Sequence, residues 1–243
     1  MLNSVTNAAA LSHFPSGATF NSPHVGRPQL LGATRCFARN AEIFGEDDPA
    51  TYIYQVVSGA VRAHRILHDG RRQIGAFYLP GDLFGLESGD THLSSAEAIC
   101  ESQIAVIKLN TVLNRTGTTP DNVRDLWTLV TEELRRMQDH MILLVRSAEE
   151  RVAHFLLEMS RRTNNLGTVN LPMSRQDIAD YLGITIETVS RTLTQFEQAG
   201  VIALRSARQI DLCKRSSLTR LMRDGRSAVD FIGVNKKVRE VMS

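Results

Sequence analysis

The spacing of apolar positions changes once along the chain, and the change divides it. From about residue 41 to 113 they come in short runs rich in β-branched and aromatic side chains, cut by Gly, Pro and Asp. That texture predicts strands at 52–57, 60–66, 72–79 and further strands within 95–109. Ser58-Gly59, His68-Asp69-Gly70 and Pro80-Gly81-Asp82 supply the turns, the second being a strong hairpin signal. Many short strands at this spacing suggest a β-roll or barrel. Beyond residue 119 the period becomes helical. Thr119-Pro120-Asp121 opens a long helix, the proline suiting its first turn. In it Val123, Trp127, Val130, Leu134, Met137, Met141 and Leu144 follow one another in steps of four and three. This heptad seam is the pattern of a parallel dimer helix, although a helix packed on its own domain would show a similar stripe.

Ser147 and the pair Glu149-Glu150 start another helix, ending near Arg162, with Val152, Phe155, Leu156 and Met159 facing a core. Residues 164–168 read as a loop and 169–171 as a short strand. Residues 173–199 then read as two short helices joined by a tight turn. Ser174 is a good N-cap with Asp177 three residues on, so the first helix covers 175–182. Gly183 stands where the chain must turn. The second helix starts near Thr185, and its Val189, Leu193 and Phe196 can pack on Ile178, Leu182 and Ile184, small Ala179 allowing a close approach.

On the opposite stripe lie Glu187, Ser190, Arg191 and Thr194. A helix-turn-helix presents such a stripe to the major groove. An arginine can donate two hydrogen bonds to guanine O6 and N7, and a glutamate can accept one from the cytosine N4 amine. Glu187 and Arg191, one helical turn apart, are therefore placed to read neighbouring bases, with Ile186 and Ser190 beside them. The plain alternative is an exposed Glu-to-Arg pair on a surface helix. Gly200 ends this helix, and 201–204 and 209–212 form a hairpin around Arg205 to Arg208, the wing of a winged helix. Ser174, Arg175, Thr185, Thr188, Thr194, Arg205 and Arg208 surround the reading stripe as candidate phosphate contacts.

Charge sharpens this picture. The formal net charge is only +2. Residues 1–173 carry 16 Lys and Arg against 18 Asp and Glu, whereas 174–243 carry 12 against 8, so the basic excess sits with the reading head. Hydrophobic content of 42% fits a soluble globular protein, and no apolar run approaches the roughly 20 residues of a membrane span. Residues 1–41 hold no acidic residue and no sustained period, which predicts a flexible arm, disordered over about its first 25 residues. The tail from 218 carries Arg220, Arg223, Arg226, Lys236, Lys237 and Arg239; it could form helix around 218–222, and is otherwise read as a solvated extension. Cys36, Cys100 and Cys213 form no CxxC pair, pointing to reduced thiols in a cytosol. His64, His68 and His92 read as solvated polar positions: in a strand the first two stand about 13 Å apart, too far to share a metal unless the hairpin bends them together. No acid-base, nucleophile or phosphate-loop constellation emerges, so an enzyme is not expected.

The run RQDIADYLGITIETVSRTL, 175–193, resembles the signature of the Crp/Fnr superfamily of bacterial transcription regulators, and E-T-V-S-R at 187–191 resembles its Fnr and FixK branches. The resemblance implies that Glu187, Ser190 and Arg191 contact bases in a palindrome of the TTGA-N6-TCAA kind. YQVVSGAVRAHRILHDGRRQIGAFYLPGDLFGLE, 54–87, resembles the cyclic-nucleotide-binding fold that forms the sensory half of these proteins. Members that bind cAMP use a glutamate for the ribose and an arginine for the cyclic phosphate. Glu87 is present, but Ser94 stands at the arginine position, and a phosphate buried without a cation is costly. Glu87 is therefore read as structural. Oxygen-sensing Fnr proteins hold an iron-sulfur cluster on four cysteines, mostly near the N-terminus. Here only Cys36 lies in that region, so the closer likeness is to the cluster-free FixK type, with no cofactor and no metal expected.

The expected architecture is α+β: a flexible arm at 1–41, a cyclic-nucleotide-binding-like β-roll at 42–118, a dimerisation helix at 119–146, a winged helix-turn-helix at 147–217 and a basic tail at 218–243. The expected function is a cytoplasmic homodimeric regulator, an activator that binds double-stranded DNA and touches RNA polymerase at genes of microaerobic respiration, denitrification or nitrogen fixation. An effector-gated regulator whose roll binds a small molecule, haem or nitric oxide is the alternative; from another class, a scaffold module whose helix-turn-helix holds protein partners.

Overall fold

Two antiparallel sheets face each other in the N-terminal half of the computed structural model, which describes residues 32–110, 120–165 and 167–224. The strands are β1 (Ala33–Phe37), β2 (Glu42–Phe44), β3 (Tyr52–Ser58), β4 (Val61–Ile66), β5 (Arg72–Tyr78), β6 (Leu83–Phe84), β7 (Ser95–Ala98) and β8 (Ser102–Lys108). One sheet has the order β1-β8-β3-β6 and the other β2-β7-β4-β5, a β-roll. Gly59, Gly70 and Gly81 all have positive φ, so the three turns fall where the sequence places them. Between the sheets Phe44, Tyr54, Val56, Val61, Phe84, Ala96 and Ile104 form one buried cluster.

Strand β1 corrects the expectation of an arm over 1–41. Its backbone pairs with β8 from Ala33↔Val106 to Phe37↔Ser102 although its first four side chains are exposed. Ladder hydrogen bonds hold it, not a hydrophobic face, and so no alternation announces it. Residues 1–31 lie outside the described residues. The histidines bring a second correction. His68 is exposed, but His64 and His92 are buried; His92 stacks on Phe44 with ring centroids 3.7 Å apart, and its Nδ1 lies 3.6 Å from Glu87 Oε1. Glu87 also accepts the Leu93 backbone N–H at 3.3 Å, the structural role expected of it.

Helix α1 (Pro120–Leu143) carries the seam, and a short turn leads to α2 (Ala148–Arg162), whose N-cap Ser147 forms a reciprocal capping box with Glu150. Strand β9 (Thr168–Asn170), helices α3 (Arg175–Leu182) and α4 (Ile186–Gln198), strands β10 (Ala203–Leu204) and β11 (Gln209–Asp211) and helix α5 (Arg215–Asp224) complete the chain. Helix α5 includes the helix allowed for around 218–222 and corrects the default reading of a solvated extension there. Leu218 and Leu221, three residues apart, are 1% and 3% exposed and join the core of α2, so the C-terminal domain extends at least to 224. Arg226, Lys236, Lys237 and Arg239 lie outside the described residues.

The two halves share one core. Phe77 of β5 packs edge-on against Phe155 of α2 and lies 5.0 Å from the Tyr181 ring of α3. The inner face of α1 closes the junction. Tyr78 donates to Glu133 at 3.3 Å, Arg136 reaches Asp82 at 3.2 Å, and His140 stacks on Tyr181 at 4.1 Å. Arg162 of α2 also binds Asp82 and donates to the Phe77 carbonyl at 2.8 Å.

Burial holds His140 and His154 at this junction below the ordinary histidine value, His140 being lowered further by the charges of His154 and Arg151. Burial does the same to His64 against the pull of Glu97. Such residues bind protons better in the unfolded chain, so stability is intact above the unfolded histidine pKa of about 6.5 and declines as pH falls below it. The urea midpoint should therefore drop between pH 7.5 and 5.5. Glu133, raised by burial, works in the opposite direction, so His140→Gln isolates the histidine contribution by flattening the slope. An unchanged slope in that variant would show that His140 is already free to charge.

Candidate nucleic-acid interface

Local signals build the helix-turn-helix. The Ser174 hydroxyl accepts from the Asp177 N–H at 3.1 Å, and Asp177 accepts from the Ser174 N–H at 2.9 Å, closing a capping box on α3. Gly183 takes the left-handed conformation at φ 63°, donating back to the Ala179 carbonyl, and the Ile184 N–H reaches the same oxygen at 3.1 Å. Thr185 then caps α4, its hydroxyl accepting from the Thr188 N–H at 3.2 Å. Ile178, Ala179 and Leu182 bury against Val189, Leu193 and Phe196 as the spacing requires.

The opposite face of α4 is open. Glu187, Arg191 and Thr194 are exposed and Ser190 and Ile186 are half-buried. Its own backbone N–H and the Thr185 hydroxyl hold the Glu187 carboxyl below the usual range, so it is an ionised acceptor at the positive helix end. Arg175, half-buried, points its Nη1 to within 3.4 Å of the Ser190 hydroxyl. Thr194 donates to the Ser190 carbonyl at 3.1 Å. At this face, then, a carboxylate and a guanidinium stand one turn apart on an outward surface, flanked by hydroxyls.

Beside it the sheet β10-β11-β9 forms the wing. Arg208 and Arg205 are both exposed at its tip, but they differ: Arg205 Nε donates to Asp211 Oδ2 at 2.6 Å. That ion pair is solvent-exposed and so holds Arg205 only weakly.

Sequence reasoning missed two arginine devices. Arg151 of α2 donates to the carbonyls of Leu144 at 2.6 Å and Leu182 at 2.7 Å, tying the end of α1 to the end of α3 where unpaired carbonyls need donors. Arg62 and Arg72 of the roll converge on Asp177 Oδ1 at 3.0 and 2.7 Å, and Arg72 also binds Asp180 at 2.7 Å.

Of the seam, Val123 lies in α1 with its side chain outside the described ones. Trp127, Val130, Leu134, Met137, Met141 and Leu144 are all exposed, Trp127 at 69% and Met141 at 70%. Leu143, on the inner face, is buried.

Comparison with known proteins agrees with this geometry. A Crp-like helix-turn-helix domain model matches residues 150–221, and a cyclic nucleotide-binding domain model matches residues 34–115. The nitrogen fixation regulation protein FixK of Azorhizobium caulinodans is 50% identical over 197 residues, covering 79% of each chain. FixK of Rhizobium meliloti is 44% identical over 201 residues, covering 82% of this chain and 92% of that protein. The solved structure of FixK2 from Bradyrhizobium japonicum superposes with a TM-score of 0.75 at 50% identity, covering 79% of this chain and 98% of that one.

Proposed function

The chain belongs to the FixK-type branch of the Crp/Fnr superfamily, a family of DNA-binding transcription regulators and not of enzymes, and from that premise we propose that it works as a homodimer on a palindrome of the TTGA-N6-TCAA kind. The observation that carries this reading is the seam. The inner face of α1 is occupied by its own β-roll, whereas six described seam residues, all large and apolar, face outward without cover. Seam exposure argues against the stripe belonging to a helix packed on its own domain, and two-fold pairing along it is the economical way to cover it. Each head then offers Glu187, Ser190 and Arg191 to base edges, with Ile186 against them. Ser174, Arg175, Thr185, Thr188, Thr194, Arg205 and Arg208 border the phosphates. Half-sites about one helical turn apart follow from such a dimer.

The relatives named above are nitrogen fixation regulators, which supports an activator of nitrogen fixation or microaerobic respiration genes that contacts RNA polymerase in the cytoplasm. No described helix is long and apolar enough to cross a membrane. Selection of bound duplexes from a random pool by the purified full-length chain tests the reading. An enriched inverted repeat with G·C pairs in each half is expected; an enriched single half-site, or no enrichment at low salt, would end it.

A further inference from the structure

The seam and the reading head are joined by a turn of a few residues between α1 and α2, by Arg151 on the Leu144 and Leu182 carbonyls, and by His140 stacked on Tyr181, contacts gathered near one end of α1. Both elements also rest on the β-roll, which makes the roll their common frame. On the α1 side the contacts are Tyr78 to Glu133 and Asp82 to Arg136. On the head side the roll grips α3, the helix that packs directly against α4.

That grip has two parts. The apolar part, Phe77 against Tyr181, tolerates rotation. The ionic part does not. Arg62 lies between Glu97 at 2.6 Å, Asn40 at 3.4 Å and Asp177 at 3.0 Å, which fixes its guanidinium plane. Arg72 uses Nε and Nη2 on Asp180 at 2.8 and 2.7 Å and Nη2 on Asp177 at 2.7 Å. Asp177 is 3% exposed and is at once the third residue of α3 and half of its capping box. A planar fork on a buried carboxylate at a helix start defines the direction of that helix as well as its position.

We propose that Arg62 and Arg72 are positioning residues for DNA reading: by clamping Asp177 and Asp180 they fix the angle of the helix-turn-helix to the dimer seam, and so the half-site spacing that the dimer accepts. The inference rests on the dimeric, palindrome-reading function above. It assigns to residues of the β-roll, outside the reading face of α4, a part of operator specificity distinct from base reading.

The test separates spacing from base choice. Full-length protein is titrated by fluorescence anisotropy against two duplex sets: the N6 palindrome with its spacer one or two base pairs longer or shorter, and the same palindrome with single-base changes in the half-sites. Arg72→Met is the cleaner variant, because both carboxylates Arg72 binds belong to α3. Its preference for the N6 spacer over its neighbours should shrink by about fivefold or more, on the scale of coupling between packed elements, while its preferences within a half-site stay within about twofold of the parent. Arg72→Lys should restore part of the spacer preference. If Arg72→Met does not fold, Asp180→Asn removes part of the same clamp and is read in the same way. A spacer profile identical to the parent's, or a uniform loss on all duplexes with both preferences intact, overturns the clamp. A parent protein indifferent to spacing would instead overturn the two-headed reading beneath it, and the clamp with it.

Discussion

Leu134→Glu combined with Met137→Glu is expected to leave a folded monomer whose operator affinity falls by about 10²- to 10⁴-fold, the factor gained when a second head binds as part of one molecule. Both side chains lie mid-seam and are more than half exposed in the single chain. The monomer loses little packing, so its own stability should move by no more than about 0.5 kcal/mol, as for other surface substitutions. In a parallel pair the same positions would face their copies, placing four carboxylates where water is excluded; a charge there is costly without a partner. Sedimentation equilibrium across the micromolar range, alongside anisotropy on the palindrome, reads both effects. A dimer that persists would mean that another surface joins the subunits.

What the sequence makes legible here is what it encodes locally. The reading head is legible to the residue because its signals are neighbours: Ser174 with Asp177, Gly183 at the turn, and apolar residues one turn apart from Ile178 to Phe196. The wing and the β4-β5 hairpin are legible for the same reason. Strand β1 is not, because its partner β8 lies far along the chain and its first four side chains face solvent. His64 read as solvated because a lone histidine in a strand does not reveal which face the sheet will cover, and His92 because it lies in a connection whose burial comes from Phe44, distant in sequence. In α5 the surrounding basic residues obscure a two-leucine stripe. The clamp is the least visible feature of all: Arg72 and Asp177 stand 105 positions apart, and each alone resembles any surface charge.

The second large effect concerns which losses depend on sequence. Arg191→Ala should cost about 1–3 kcal/mol for each base contact it makes, and in a two-fold dimer the loss is felt in both half-sites. Its signature is selective: discrimination collapses at one position of the half-site and stays intact at the others. Arg208→Ala, at the wing tip, should instead weaken all duplexes alike and lower the salt slope by about one for each phosphate that the wing no longer neutralises. Arg205→Ala should do less than Arg208→Ala, because Arg205 must first leave Asp211 to reach a phosphate. A binding series over single-base operator variants at two salt concentrations distinguishes the three. Equal losses on every variant for Arg191→Ala would mean that its guanidinium holds the backbone, leaving Glu187, fixed as an anion at the start of α4, as the remaining charged reader on that face.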